Sequence, residues 1–304
     1  MITFNAARHH EELPGEKGGT SAYDLSTLIQ GEGWLARRRI AARFKLLKKL
    51  DGKLARVLHP GERVRFVTKG SVASLAERFF AGHAVAYHIN LRALVFTTER
   101  VILLHVGATM KPRELVSELS YASIRDLRST WSGFCEVKMS NGRTHRFSGV
   151  PRADREFLRD FLTKAMPAAG MAPGEASDGL MHLCPHCFTP VPGWPRVCGR
   201  CGGGIKAAST AALLSLGLPG LGNWYLGHRW FGLFEMMGAV IFWVVFVLRP
   251  VEEELAHRDG LPLGPGFWIP ALAIVGSAHL IDAAVTFNFA RKGHHRGKAP
   301  VARG

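Results

Sequence analysis

Long apolar runs occur only in the last third of the chain. Residues 231–248 and 267–290 are almost entirely apolar. Eighteen residues of helix extend about 27 Å, enough to cross the hydrocarbon core of a bilayer. A third run, 207–221, is shorter and contains Pro219-Gly220. The pattern predicts a membrane domain over 207–290, with two spanning helices and an interfacial or re-entrant segment at 207–221.

A helical pattern of a different kind covers residues 34–54. Apolar residues recur there at steps of three and four, which is the period of one helical face: Ile40, Phe44, Leu47, Leu50 and Leu54. Half of the intervening positions are Lys or Arg. We predict a basic amphipathic helix, which Asp51-Gly52 interrupts or ends.

Short β-branched and aromatic runs separated by turn residues fill the region 57–150 and predict antiparallel strands at 64–70, 93–106, 117–121 and 133–149. We expect a tight turn at Thr98-Glu99. We also expect a hairpin at Ser140-Asn141-Gly142, where Asn-Gly suits a type I′ turn. A helix is predicted over 151–166, with Pro151 in its first position. The fold expected is a small β-barrel or sandwich with a helical plug.

The segments HPGERVRFVTKG, LVFTTERVILL and LSYASIRDL, followed by a hairpin and a closing helix, resemble the bacterial pleckstrin-homology-like (PH-like) domains over about residues 55–166. The resemblance implies a seven-stranded bent barrel capped by a C-terminal helix. Domains of this shape bind lipids or peptides, so the fold by itself does not name a ligand.

The rest of the chain is polar or rich in Gly and Pro. We predict a disordered tail over 1–33, a linker over 167–180 and a basic tail over 291–304. The expected fold class is therefore multidomain: a PH-like barrel, a zinc ribbon at 181–206 and an α-helical transmembrane hairpin.

The formal net charge of +15 favours anionic partners. Residues 34–56 carry nine basic residues against Asp51, a net +8, which is more than half of that excess. We predict contact with anionic lipid through the basic residues of the helix: Arg37, Arg38, Arg39, Arg43, Lys45, Lys48 and Lys49. The alternative is a solvated helix packed on the barrel. Arg63, Arg65 and Lys69 are either a phosphoinositide-type pocket or ordinary charges on an edge strand.

Four of the five cysteines form two CxxC pairs, Cys184/Cys187 and Cys198/Cys201, ten residues apart. Two such pairs can converge on one tetrahedral Zn²⁺, and the pattern resembles a short zinc ribbon. We predict structural Zn²⁺, because four thiolates leave no open position for water or substrate. An iron centre or a redox dithiol is the alternative. Nearby cations are few, so we do not expect nucleic acid as a partner. Cys135 is expected to be a buried apolar residue.

Charge predicts the topology. The loop 249–266 has two Arg against four acids, whereas the tail 291–304 has five Lys or Arg and no acid. By the positive-inside rule, the tail is cytoplasmic and the loop is outside. No secretory signal begins the chain. We therefore expect an integral protein of the cytoplasmic membrane with both termini in the cytoplasm.

The stretch PGLGNWYLGHRWFG (219–232) resembles the signature of a two-transmembrane-helix domain family, over about residues 207–291, with Asn223 where many members have Gln. We predict a tight membrane turn there, formed by Gly220, Gly222, Asn223, Tyr225 and Gly227.

Three ionisable residues lie within the predicted spans: Glu235, His279 and Asp282. We interpret them as a polar clasp that holds helices or an oligomer together, with a proton or ion relay as the alternative.

A Gly-rich phosphate loop, a nucleophile elbow and an HExxH motif are absent from the sequence. We therefore predict a non-enzymatic adaptor or scaffold anchored at the cytoplasmic face, with an unknown protein partner and possible homo-oligomerisation. The alternative is a subunit of an oligomeric transporter or channel.

Overall fold

A computed structural model describes residues 22–29, 34–130, 133–168, 179–248, 251–252 and 265–299. The chain divides into two compact units. The first comprises Met1–Arg78 and Gly82–Pro192, and the second comprises Phe79–Ala81 and Gly193–Gly304. Three predicted segments lie largely outside the described residues: the disordered tail 1–33, the linker 167–180 and the loop 249–266.

The first unit is built on an antiparallel sheet of eight strands in the order β5-β6-β7-β1-β2-β3-β4-β8. The strands are β1 Val64–Ser71, β2 Leu91–Thr97, β3 Arg100–Val106, β4 Pro112–Ser120, β5 Ile124–Ser129, β6 Phe134–Met139, β7 Thr144–Ser148 and β8 Leu180–His182. The predicted antiparallel strands are confirmed. The sheet is open, however, with β5 and β8 at its edges, whereas we expected a small barrel or sandwich.

Strand β8 accounts for part of this difference. It lies across the boundary that we predicted between linker and zinc ribbon, and it pairs with β4 through Ser117↔His182 and Leu119↔Leu180. Since β8 is only three residues long, its pattern carries no strand signal that a sequence can show. The segment that leads into the cysteines is thus part of the sheet.

The two predicted turns differ in outcome. Thr98-Glu99 does connect β2 and β3, and the Thr97 hydroxyl accepts hydrogen bonds from the amides of Glu99 and Arg100. The Asn141-Gly142 hairpin forms as well, but only Gly142 has a positive φ, of 81°. The amide of Gly142 donates to Met139 O at 3.0 Å, which gives a type I turn followed by a left-handed Gly. The prediction of a type I′ turn was therefore wrong.

Four helices accompany the sheet: α1 Leu25–Leu28, α2 Trp34–Val57, α3 Leu75–Phe80 and α4 His83–Ile89. Helices α3 and α4 were not predicted. Helix α3 begins with a reciprocal capping box, in which the Glu77 carboxylate accepts from the Ser74 amide and the Ser74 hydroxyl accepts from the Glu77 amide. The Ser-x-x-Glu spacing was therefore a readable signal for this helix.

Helix α2 is the basic helix of the prediction, and the five residues of its apolar stripe are all buried. It continues to Val57, so the prediction that Asp51-Gly52 ends it was wrong. Asp51 accepts a hydrogen bond from the Tyr23 hydroxyl, and Leu54 packs in the core beyond it. Tyr23 and Leu28 are buried too, so residues 22–29 belong to the fold and not to a disordered tail.

After the sheet, helix α5 covers Arg152–Ala168 and starts one residue after Pro151. Leu158 and Leu162 are buried, and the Phe157 ring lies 4.4 Å from that of Phe66 on β1. The helix thus covers one face of the sheet, while α2 contributes to a separate apolar core.

The second unit contains apolar helices: α6 Ala208–Gly217, α7 Leu221–Leu226, α8 Arg229–Trp243 and α9 Pro265–Ala290. A π-helical turn, Val244–Leu248, continues α8. Two windows are long and apolar enough to cross a membrane, Arg229–Phe246 and Trp268–Ala290. Their existence as helices confirms the coarse prediction. Helix α6 has ten residues, about 15 Å at the helical rise, which is half of a hydrocarbon core.

Candidate metal centre and other candidate sites

Each CxxC pair lies on a tight backbone turn. In the first, the amide of Phe188 donates to Cys184 O at 3.0 Å and the amide of Cys184 donates to Thr189 O. In the second, Gly202 N donates to Cys198 O and Cys198 N donates to Gly203 O, both at 2.9 Å. The two turns repeat one hydrogen-bonding scheme with different residues. Phe188 and Gly202 hold equivalent places with φ of 58° and 69°, which is why Gly suits the second.

The four cysteine sulfurs lie within 4.8 Å of one another. This confirms that the predicted residues Cys184, Cys187, Cys198 and Cys201 come together, and such a group could bind a metal ion. Two observations fit a metal. The amides of His186 and Gly203 each point at a sulfur of their own turn at 3.4 Å, so each pair includes a sulfur that accepts an N–H hydrogen bond. Cys184 and Cys198 are also almost fully buried.

A second group of possible ligands, His59, Glu62 and Glu99, is already committed to an ion pair. The Glu62 carboxylate accepts from Arg100 Nε and Nη2 at 3.1 and 3.0 Å and from the Thr97 hydroxyl. Burial acts to raise the pKa of Glu62, but these bonds outweigh it and the pKa is lowered. Because the Glu62 carboxylate is paired with Arg100, we assign the group of His59, Glu62 and Glu99 a structural role and not metal binding.

The cations of helix α2 do not form one continuous surface. Arg37, Arg38, Arg39, Lys45, Lys48 and Lys49 are exposed. Arg43 is buried, and its Nη2 donates to Asp154 at 2.6 Å. The prediction that Arg43 contacts lipid was therefore wrong. The counter-charge lies 111 residues away on α5, a pairing that the sequence could not indicate.

The residues predicted to form a membrane turn occupy a compact arrangement. Helix α7 lies between Gly220 and Gly227, both left-handed with φ of 91° and 98°. A Cβ on Gly222 would overlap Ala211 O and would lie 2.5 Å from Ser215 Oγ. Asn223 is fully buried, and Lys206 Nζ donates to Tyr225 O at 2.5 Å. Helices α6 and α7 therefore approach each other closely where Gly has no side chain.

The polar residues of the two long helices make contacts within the same unit. Asp282 Oδ2 accepts from the Gly220 amide at 2.9 Å, and Glu235 Oε2 accepts from Asn223 Nδ2 at 2.8 Å. His279 Nδ1 lies 2.7 Å from Leu216 O, and its Nε2 accepts from Trp243 Nε1 at 3.1 Å. Each of the three therefore contacts the 216–223 segment, and His279 also contacts the other long helix.

Sequence reasoning missed three members of this polar set. The Ser215 hydroxyl donates to Thr286 Oγ1 at 3.1 Å, and both residues are fully buried. The Trp243 indole was not considered either. The signal available was the presence of hydroxyl groups in apolar helices, where such groups commonly face another helix.

Comparisons with protein-family models and with curated proteins find no match for this chain.

Proposed function

We propose that the protein is a non-enzymatic adaptor or scaffold anchored in the cytoplasmic membrane. The observation that carries the anchoring is the exposure of the two long apolar helices. Only 6% of the window Arg229–Phe246 and 28% of Trp268–Ala290 are buried within the protein. The core helix of a soluble protein would be mostly buried, so lipid is the natural cover for these surfaces.

The contacts of the second unit support a hairpin with both ends on one side. Asp282 and Glu235, on different long helices, both bond to the 220–223 segment. The proposed cytoplasmic side rests on the basic tail, the acidic loop and the four thiols, which a reducing compartment preserves. The adaptor role rests on architecture: a sheet unit and a cysteine cluster carried by a membrane hairpin.

Topology can be tested with single reporter cysteines in a chain that keeps its native cysteines. One variant carries the reporter in place of Ala302 in the basic tail, and the other carries it in place of Leu261 in the acidic loop. A membrane-impermeant maleimide applied to intact cells should label the loop reporter and not the tail reporter, and the chain without a reporter gives the background. Labelling of the tail reporter alone would refute the proposed orientation.

The adaptor role is tested by photo-crosslinking in native membranes. A photo-reactive residue is placed at exposed positions of the sheet edge, Arg125 and Arg128, and at the control position Leu280 on the exposed face of α9. We expect a reproducible protein adduct from the sheet positions and lipid adducts from Leu280. Adducts of this chain alone at every position would indicate a homo-oligomer and would contradict an adaptor.

One observation favours the alternative of a transporter or channel subunit. A cavity of about 380 Å³ in the second unit is lined by Glu235, His279 and Asp282 among apolar residues. Flux measurements in proteoliposomes test it. An ion flux that is abolished by Glu235→Gln and Asp282→Asn, and is retained in the exposed control Ser277→Ala, would support this alternative over the adaptor.

A further inference from the structure

We propose that the first unit binds a phosphate monoester in a cavity between helix α2 and strand β1. The cavity has a volume of about 270 Å³ and is lined by residues from α2, β1, the β3–β4 loop and the start of α5. Its cationic lining residues come from two elements and are Arg39, Arg43, Lys45, Lys49 and Lys69. The volume suits a small headgroup or metabolite more than a large ligand.

The charge inside this cavity is mostly uncompensated. Its one acidic lining residue, Asp154, is neutralised by the 2.6 Å bond from Arg43 and accepts a second bond from the Thr68 hydroxyl at 2.6 Å. Among the described residues, Arg39, Lys45, Lys49 and Lys69 form no ion pair. Four cationic residues without an ion pair among the described residues therefore border one concave space.

The cavity wall is also held in place. Lys49 Nζ donates to Thr109 O at 2.5 Å, which fixes this ammonium group at the β3–β4 loop. The next residue, Met110, lines the cavity and has a φ of 62°, a left-handed conformation that is costly for a residue with a side chain. Its amide donates to Gly107 O at 2.8 Å. A strained residue held at the wall of this cavity is consistent with a preorganised site.

The chemistry of the lining selects the ligand class. A phosphate monoester carries about −1.5 to −2 charges at neutral pH and three strong acceptor oxygens. Lys69 and the three α2 cations approach from two elements, so they can meet several of these oxygens together. A phosphodiester or a carboxylate brings only one charge and satisfies this lining less well.

The pairing of β1 bears on the two sequence-based interpretations of Arg63, Arg65 and Lys69. Strand β1 pairs with β2 along its length but with β7 only through Ser71↔Ser148, and Arg63 precedes the strand. Arg65 lies 4.0 Å from Asp24, and only Lys69 of the three lines the cavity. The anion site therefore combines Lys69 with the helix cations.

The ordinary explanation is that α2 simply presents a solvated basic face. Helix α2 offers a matched comparison, because cations of the same type stand next to each other inside and outside the cavity. Arg39 and Lys49 line it, whereas their neighbours Arg38 and Lys48 do not. The double variants Arg39→Ala/Lys49→Ala and Arg38→Ala/Lys48→Ala remove the same charge from the same helix.

The experiment uses the full chain in phosphatidylcholine nanodiscs, titrated calorimetrically with glycerol 3-phosphate. We expect saturable binding that the cavity pair weakens at least tenfold and the control pair less than twofold. Amide exchange of β1 is measured in both variants to show that each is folded. Absence of saturable binding, or an equal loss in the two variants, would overturn the inference.

The lipid composition of the discs distinguishes a lipid headgroup from a soluble ligand as the source of the phosphate group. If phosphatidic acid in the disc reduces glycerol 3-phosphate binding and phosphatidylglycerol at equal charge does not, a lipid headgroup occupies the cavity. If neither lipid reduces it, the ligand is a soluble phosphate monoester. The site is independent of membrane anchoring: a chain that failed to enter discs would refute the anchor alone, and the titration would then be done in detergent.

Discussion

The buried ion pair between Arg43 and Asp154 makes the sharpest prediction about stability. Their side chains are only 10% and 7% exposed, and the Asp154 carboxylate accepts from Arg43 Nη2 and from the Thr68 hydroxyl, each at 2.6 Å. Asp154→Ala removes both carboxylate acceptors and leaves a buried guanidinium with two neutral partners, Leu28 O at 3.3 Å and the Phe66 ring, whose centroid lies 4.3 Å from Arg43 Cζ. Loss of one partner from a buried pair costs about 3–5 kcal/mol.

We expect the lower end of this range, about 3 kcal/mol, because Arg43 also borders the cavity and can gain some hydration there. The assay is hydrogen exchange of the β1 and β2 amides in the full chain. Since about 1.4 kcal/mol is a factor of ten, these amides should exchange at least a hundredfold faster. Exchange is suitable because it reports on the sheet separately from the apolar helices.

Two further variants decide whether the reasoning holds. Glu156→Ala breaks an exposed ion pair with Arg152 on the same helix and should change exchange less than threefold. The double variant Arg43→Met/Asp154→Leu removes both charges and should be less destabilising than Asp154→Ala alone. The reasoning is refuted if Asp154→Ala is as mild as Glu156→Ala, or if the double variant is the worst of the three.

Three other outcomes are expected. Purified protein should contain one Zn²⁺ per chain by elemental analysis, and chelation should expose four thiols to maleimide at neutral pH. Cys135 should stay unlabelled, because burial raises its pKa to about 11. Labelling of Cys135 before unfolding would contradict this. Because the pKa of Glu62 is lowered on folding, its contribution to stability is complete above the unfolded value near 4.5 and is lost as the pH falls through the folded value; Glu62→Gln should lower stability at neutral pH and weaken the acid dependence in exchange measurements. Gly222→Val should disrupt packing of the 207–227 segment, seen as loss of amide protection there, whereas Gly238→Val, where a Cβ meets nothing within 4 Å, should not.

Local patterns were enough where one segment determines its own structure. The helical period alone was enough to predict the apolar stripe of helix α2, and all five residues of the stripe are buried. The CxxC spacing indicated the cysteine cluster, because each pair lies on its own tight turn. The two long apolar helices followed from length and composition alone.

Local patterns failed where a distant segment supplied the deciding contact. Asp51-Gly52 does not end α2, because Tyr23 bonds to Asp51 and the core retains Leu54. Neither Tyr23 nor the short segment around it has a period that would show this.

What the sequence by itself determined are the features that depend on spacing: the amphipathic helix, the paired cysteines, the antiparallel strands and the apolar helices. What only the tertiary structure decided is which charges are buried and which surround a cavity. Arg43 and Lys49 look alike along α2, yet Asp154 buries the first in an ion pair and the β3–β4 loop holds the second at the cavity rim. The physical reason is that burial and charge compensation depend on partners from other elements, which neighbours in sequence do not reveal.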